Sequence, residues 1–147
     1  MPMKLSSSAF ASGANIPDRY TKSGADDQPE LIITGVPEDA RELAVICHDP
    51  DAPVARGFTH WTLYGIPPET ELIPTNGESE FRPGPNDYGE TGWGGPQPPR
   101  GHGPHHYFIW VYALDHVVKG TPDRDTFLHD YGAHIIEQSR IVGIYER

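Results

Sequence analysis

The 147-residue chain carries 21 acidic against 11 basic residues, a formal net charge of -10, which excludes the Lys/Arg-built footprint of a nucleic-acid binder. That length fits one domain, residues 1–147, able to bury about 70% of its unfolded surface, and the single Cys47 leaves no internal disulfide. No basic segment followed by an apolar run opens the sequence and no stretch is long enough to span a bilayer, so the expectation is a soluble, cytoplasmic protein with no transmembrane segment.

Residues 1–30 mix Ser, Gly, Asn and Pro with isolated apolar anchors, Phe10, Ile16 and Tyr20, and read as loop lying over a core. Glu30 to Val36 has the β-branched character of a strand, and Pro37-Glu38-Asp39-Ala40 reads as a turn. Leu43-Ala44-Val45-Ile46-Cys47 is a short apolar run suited to a buried strand. It ends in Asp49-Pro50-Asp51-Ala52-Pro53, where two prolines remove backbone donors and forbid a helical continuation.

Phe58 to Ile66 is the next strand, closed by Pro67-Pro68. Residues 74–104 are dominated by Gly, Pro, Asn and Asp, but Phe81, Tyr88 and Trp93 within them point to an ordered, packed loop. His105 to Leu114 is a strand rich in aromatics. Thr121-Pro122-Asp123 reads as a helix start with Thr121 as cap, and helical spacing follows through Phe127, Leu128, Tyr131, Ile135 and Ile136, interrupted near Gly132. Ile141 to Tyr145 forms a last strand. The balance is mainly β, with short helices near the C-terminus.

Several residues along this chain have chemistry to offer. Asp49 and Asp51 stand at i and i+2, so they share a face if the extended backbone persists; read otherwise, both are turn residues bonded to their own backbone. His105 and Tyr107 share a strand face with Ile109 and Val111, either as the polar mouth of a pocket or as a satisfied core histidine and a tyrosine whose hydroxyl reaches the surface. His60, inside an aromatic strand, needs a partner once buried, and a carboxylate from Asp49 or Asp51 would serve and would favour the imidazolium; a structural histidine is the other reading.

Gly94-Gly95-Pro96-Gln97-Pro98-Pro99-Arg100-Gly101-His102-Gly103-Pro104 allows close backbone approach to a ligand and has stiff walls, but it matches neither a Lys-Ser/Thr phosphate loop nor a G-x-G-x-x-G turn. His60, His102, His105, His106 and the two aspartates fit no zinc spacing, and no G-x-S-x-G elbow exists. The expectation is therefore no metal, no cofactor and no catalytic set. Cys47, within an apolar strand, reads as an inert thiol.

Three blocks in order, Asp49-Pro50-Asp51-Ala52-Pro53, Gly57-Phe58-Thr59-His60-Trp61, and Gly94-Gly95-Pro96-Gln97-Pro98-Pro99 leading through Gly101-His102-Gly103-Pro104 to His105-His106-Tyr107-Phe108, resemble the phosphatidylethanolamine-binding family, also called Raf kinase inhibitor proteins, in its shorter bacterial form. Ile16-Pro17 with Tyr20-Thr21, and Val142 to Arg147, extend the likeness over nearly the whole chain. The resemblance implies a β-sandwich of two antiparallel sheets with a pocket at one end. It implies that Asp49, Asp51, His60, His105 and Tyr107 line that pocket, with Gly95, Pro98 and Pro99 forming one wall.

The implied ligand is a phosphate-type or other small anion, received despite two aspartates because histidines and loop N–H groups can set the local field. The sequence departs from the family pattern at His106, where bacterial relatives often carry a basic residue. It also ends soon after the last strand, so a more open pocket is expected and kinase-inhibitor or lipid-carrier roles do not carry over directly. Three functions compete: a non-enzymatic module binding an anionic or phosphorylated ligand, an inhibitor of a kinase or protease acting through its surface, and a small hydrolase or lyase using the Asp/His cluster. A homodimer is implied by the resemblance alone.

Overall fold

β3 (Glu42–Asp49) organises the molecule, and every one of its residues is buried. In this computed structural model, which describes residues 2–147, β3 pairs antiparallel with β4 (Phe58–Ile66) on one side and β7 (His105–Leu114) on the other. A five-stranded sheet follows, in the order β6-β4-β3-β7-β8, with β6 (Arg82–Pro83) and β8 (Ile135–Tyr145) at its edges. A three-stranded sheet, β1-β2-β5, is built from β1 (Lys4–Ser6), β2 (Leu31–Thr34) and β5 (Leu72–Ile73).

β3 is buried on both faces because its alternate side chains feed two cores. Leu43, Val45 and Cys47 join Leu5, Leu31, Ile33, Trp61, Leu63, Ile109 and Val111 between the two sheets. Ala44 and Ile46 join Tyr64, Tyr112, Leu114, Val118 and Phe127 beneath the helix α1 (Arg124–Tyr131) on the outer face. At about 1.5–3 kcal/mol per buried large aliphatic or aromatic side chain, these two layers dominate the stability of the fold. Burial also raises the Cys47 thiol far above its ordinary range, so it stays a protonated core group.

Four sequence expectations are corrected. Residues 4–6, read as loop, form β1; its Leu5 amide and that of the preceding Met3 also bond the β8 side chains Ser139 and Glu137. The helix is capped not by Thr121 but by Asp123, whose carboxylate accepts from the Thr126 amide at 2.8 Å. It ends at Tyr131, so Ile135 and Ile136 belong to a strand: a 3-10 turn at Gly132–His134 breaks the helix and β8 then pairs with β7 from Leu114 back to His105. That long ladder of β-branched and aromatic partners outweighs a weak helical periodicity. Residues 74–104 contain β6 and a 3-10 turn at Glu78–Glu80. Among the described residues no helix is long and apolar enough to cross a membrane.

Candidate functional site

The end of β3, the start of β4 and the start of β7 meet at one rim of the five-stranded sheet. Inward-facing alternation carries Leu43, Val45 and Cys47 on to Asp49, and Val111 and Ile109 back to Tyr107 and His105. β4 needs a different device. Cys47 opposes Trp61, but the next β3 residue, His48, opposes Thr59, so His60 is an extra residue on β4. This β-bulge inverts the alternation: Thr59 goes to the outer face beside His48, while His60 and Phe58 turn inward beside Asp49.

The resulting cavity, of about 110 Å³, is lined by Asp49, Phe58, His60, His105 and Tyr107 from the strands. Ala52, Pro53, Tyr88, Gln97, Pro98 and Pro99 close it from the loops. Its volume is below the roughly 300–1,000 Å³ of drug-sized sites. Among the described residues no Lys or Arg lines it.

Asp49 and His105 form its floor. Both side chains are 2% exposed, and the His105 Nδ1–H donates to Asp49 Oδ2 at 2.6 Å. The other carboxylate oxygen, Oδ1, accepts the Asp51 amide at 2.7 Å, so Asp49 is at once a turn residue and a pocket residue. His105 Nε2 lies 2.6 Å from Nδ1 of His102, a contact that needs a single proton between the two rings. The result is a chain, Asp49–His105–His102, running from the buried strand end to an exposed loop.

His60 departs from expectation. Among the described residues no carboxylate pairs with it; its Nδ1–H donates to the Gly94 carbonyl at 2.7 Å, and the Gly94 amide returns a bond to the His60 carbonyl at 2.9 Å. With the ring buried and its partner an uncharged carbonyl, burial pulls its pKa down to about 4, so His60 is a neutral imidazole at pH 7 rather than the expected imidazolium. Its ring packs edge-on against Tyr107 and Tyr88, with centroids 5.1 and 5.6 Å away. The Tyr107 hydroxyl lines the cavity without a protein hydrogen-bond partner among the described residues. Burial, then the Asp49 charge, push its ionisation far up, so it remains a donor.

Two expected lining residues are elsewhere. Because β3 stops at Asp49 and the chain turns, Asp51 does not share its face: its Oδ2 accepts from the His106 amide at 2.7 Å and from His106 Nδ1 at 2.8 Å on the exposed rim. Partial burial pushes the Asp51 carboxyl up, but its bonds to the His106 ring and amide outweigh this and hold it below the usual range. Gly95 is behind the wall rather than in it. Its amide donates to Asp26 Oδ1 and its carbonyl accepts the Tyr88 hydroxyl, both at 2.7 Å, and a Cβ there would meet the Tyr20 carbonyl oxygen at 2.2 Å.

Pro98 and Pro99 do line the cavity, anchored where Arg147 Nε donates to the Pro98 carbonyl at 2.7 Å. Phe58, Tyr88, Gln97, Ala52 and Pro53 escaped sequence reasoning as lining residues. The bulge brings Phe58 inward, and the Asn86-centred turn, whose Oδ1 accepts the Tyr88 amide at 3.0 Å, places Tyr88. Trp93 serves the core instead, packed at right angles on Trp61 at 5.4 Å.

Compared with known proteins, residues 6–146 match the profile of the family described as phosphatidylethanolamine-binding protein. A UPF0098 protein of Pyrococcus abyssi is 44% identical over 150 residues, which cover 96% of this chain and 84% of that protein. Among solved structures, a Chlamydia trachomatis protein described as a phosphatidylethanolamine-binding protein homolog superposes with a TM-score of 0.91 at 31% identity, covering 99% of this chain and 98% of that one. YbcL of Escherichia coli, titled a new member of the mammalian PEBP family, gives 0.92 at 29% identity over 100% and 99%.

Proposed function

Because this chain belongs to the phosphatidylethanolamine-binding protein family, we propose that it is a non-enzymatic small-ligand-binding protein whose rim cavity receives a phosphate-type anionic head group. The observation that carries this reading is the pairing of an unpartnered Tyr107 hydroxyl, open to the cavity, with the Asp49–His105–His102 chain whose inner two members are buried. Asp49 fixes the proton of His105 on Nδ1 and thereby leaves Nε2 as an acceptor facing the mouth, where a protonated ligand oxygen can take the place of the His102 donor. The small volume suits a head group rather than a whole lipid.

A hydrolytic reading would use Asp49 and His105 as an acid–base pair. The cavity lining has no serine, threonine or cysteine to act with them, and burial keeps the Tyr107 hydroxyl protonated. Binding is the better fit.

Calorimetric titration with inorganic phosphate tests the proposal. Saturable binding is expected, weakened about tenfold by Tyr107→Phe, which deletes one hydrogen bond to a charged group, and further by His105→Asn. Absence of saturable binding, or wild-type affinity in both variants, would overturn it.

A further inference from the structure

We infer that the outer face of the five-stranded sheet carries a second binding site, independent of the rim cavity. It takes a small zwitterion of the amino-acid type, with the carboxylate on Arg124 and the ammonium on Asp87. The β-bulge at His60 creates both sites at once. It turns His60 inward and leaves Thr59 beside His48 on the outer face, so neighbours in the chain part company. Asp49 and His60 line the rim cavity, while His48 and Thr59 line a polar cavity of about 170 Å³ behind it. Asp87 lines the outer cavity and Tyr88, next in the chain, the rim one. The start of α1 adds Asp123, Arg124 and Asp125, and the turn between β3 and β4 adds Arg56.

The charges on this wall do not close on themselves. Arg56 and Asp125 neutralise each other at the exposed edge, paired at 2.5 Å with side chains 80% and 49% exposed. The Arg124 side chain is only 29% exposed, yet its guanidinium makes no hydrogen bond among the described residues and meets one carboxylate, Asp125, at 3.7 Å. No buried side-chain nitrogen is left unsatisfied among those residues, so the Arg124 N–H groups stay within reach of a ligand where the side chain lines the cavity. Asp87 holds one oxygen back: Oδ2 accepts the Thr59 amide at 2.7 Å, and Oδ1 has no protein donor among the described residues. Asp123 accepts the Thr126 amide at 2.8 Å, and its bonds to Thr126 hold its carboxyl below the ordinary range, so it adds a fixed negative charge. His48 contributes a polar surface without charge. Its Nδ1 lies 3.0 Å from Thr59 Oγ1, and burial, then the Arg124 charge, lower its pKa, so the ring is neutral at pH 7.

This donor and acceptor set excludes the simpler occupants. A bare anion would meet carboxylates, and a bare ammonium would leave the largely buried guanidinium unanswered. No group of three His, Cys, Asp or Glu among the described residues can hold a metal ion. A ligand carboxylate answers the planar guanidinium with two parallel hydrogen bonds. The ligand's own ammonium then balances a wall on which Asp87, Asp123 and Asp125 outnumber Arg56 and Arg124.

NMR titration of the full chain with glycine, acetate and methylammonium at pH 7, read at the His48 ring and the Thr59 and Asp87 amides, supplies the test. Glycine is expected to move these reporters along one saturable isotherm. It should bind about tenfold more tightly than either half-ligand, because each of those leaves one wall charge unanswered. Arg124→Gln should abolish saturation. Asp87→Asn keeps an acceptor for the Thr59 amide, so it should weaken glycine about tenfold while tightening acetate. A general loss of structure cannot produce those opposite signs; if either variant does not fold, the wild-type series decides alone. Acetate binding as tightly as glycine, or reporters that glycine leaves unmoved, would overturn the inference. Glycine shifts confined to His60 and His105 would overturn it too, by placing the zwitterion at the rim. Phosphate binding at the rim is read at His60 and His105, so either site can fail without the other.

Discussion

Two aspartate–histidine pairs bridge the same two segments, the end of β3 and the start of β7, and they differ mainly in burial. Asp49 and His105 meet at 2.6 Å with both side chains 2% exposed, whereas Asp51 and His106 meet at 2.8 Å with side chains 40% and 45% exposed. The contact geometry is nearly shared. What separates a site from a surface ornament is the medium: the outer pair competes with water and salt, while the inner one holds a charge and a tautomer where neither can intervene.

The sharpest way to break that comparison is Asp49→Ala. Removing one member of a buried pair should destabilise the protein by about 3–5 kcal/mol in denaturant unfolding, because His105 and the Asp51 amide lose their partner together. A loss no larger than that of a surface pair would erase the distinction. Next in size is the pH response of His60. The unfolded imidazole titrates near 6.5 and the folded one near 4, so the unfolded chain binds the extra proton between those values. The stabilisation is complete above about pH 6.5 and is lost as pH falls towards 4, by about 3 kcal/mol. Denaturant midpoints measured from pH 7 to 4 should show that slope, and His60→Gln should flatten it.

Gly95→Ala probes the wall from behind: its Cβ would press on the Tyr20 carbonyl, at a cost of about 1–3 kcal/mol in thermal unfolding. Smallest of all, Asp51→Ala should change stability by less than about 1 kcal/mol, and by less still at high salt. A large effect there would mean that the rim pair is as consequential as the buried one.

Much of the frame was legible because it is local. β4 and β7 have the bounds their aromatic runs predict, and the inward face of His105, Tyr107, Ile109 and Val111 follows from alternation alone. Asp49, His60, His105, Tyr107, Pro98 and Pro99 come together as the motif order implied. What was hidden depends on register and on distant chain. The bulge at His60 shifts the alternation by one residue, which no composition signal announces. The partner of His60 is a backbone carbonyl 34 residues away, so the sequence favoured a nearby carboxylate instead. Asp51 left the shared face because β3 ended two residues earlier than extended geometry required. His102, weighed only as a metal ligand, becomes the outer link of the Asp49–His105 chain through its loop. The C-terminal isoleucines had helical spacing, but the pairing available along β7 claimed them.

The central claim is that the buried pair, and not the rim pair, marks a ligand site. Histidine-resolved NMR titration with inorganic phosphate addresses it most directly. His60 and His105 are predicted to shift together along one saturable isotherm, while the surface histidines His116, His129 and His134 stay in place. Unmoved His60 and His105 resonances, or shifts no larger than those of the surface histidines, would contradict it.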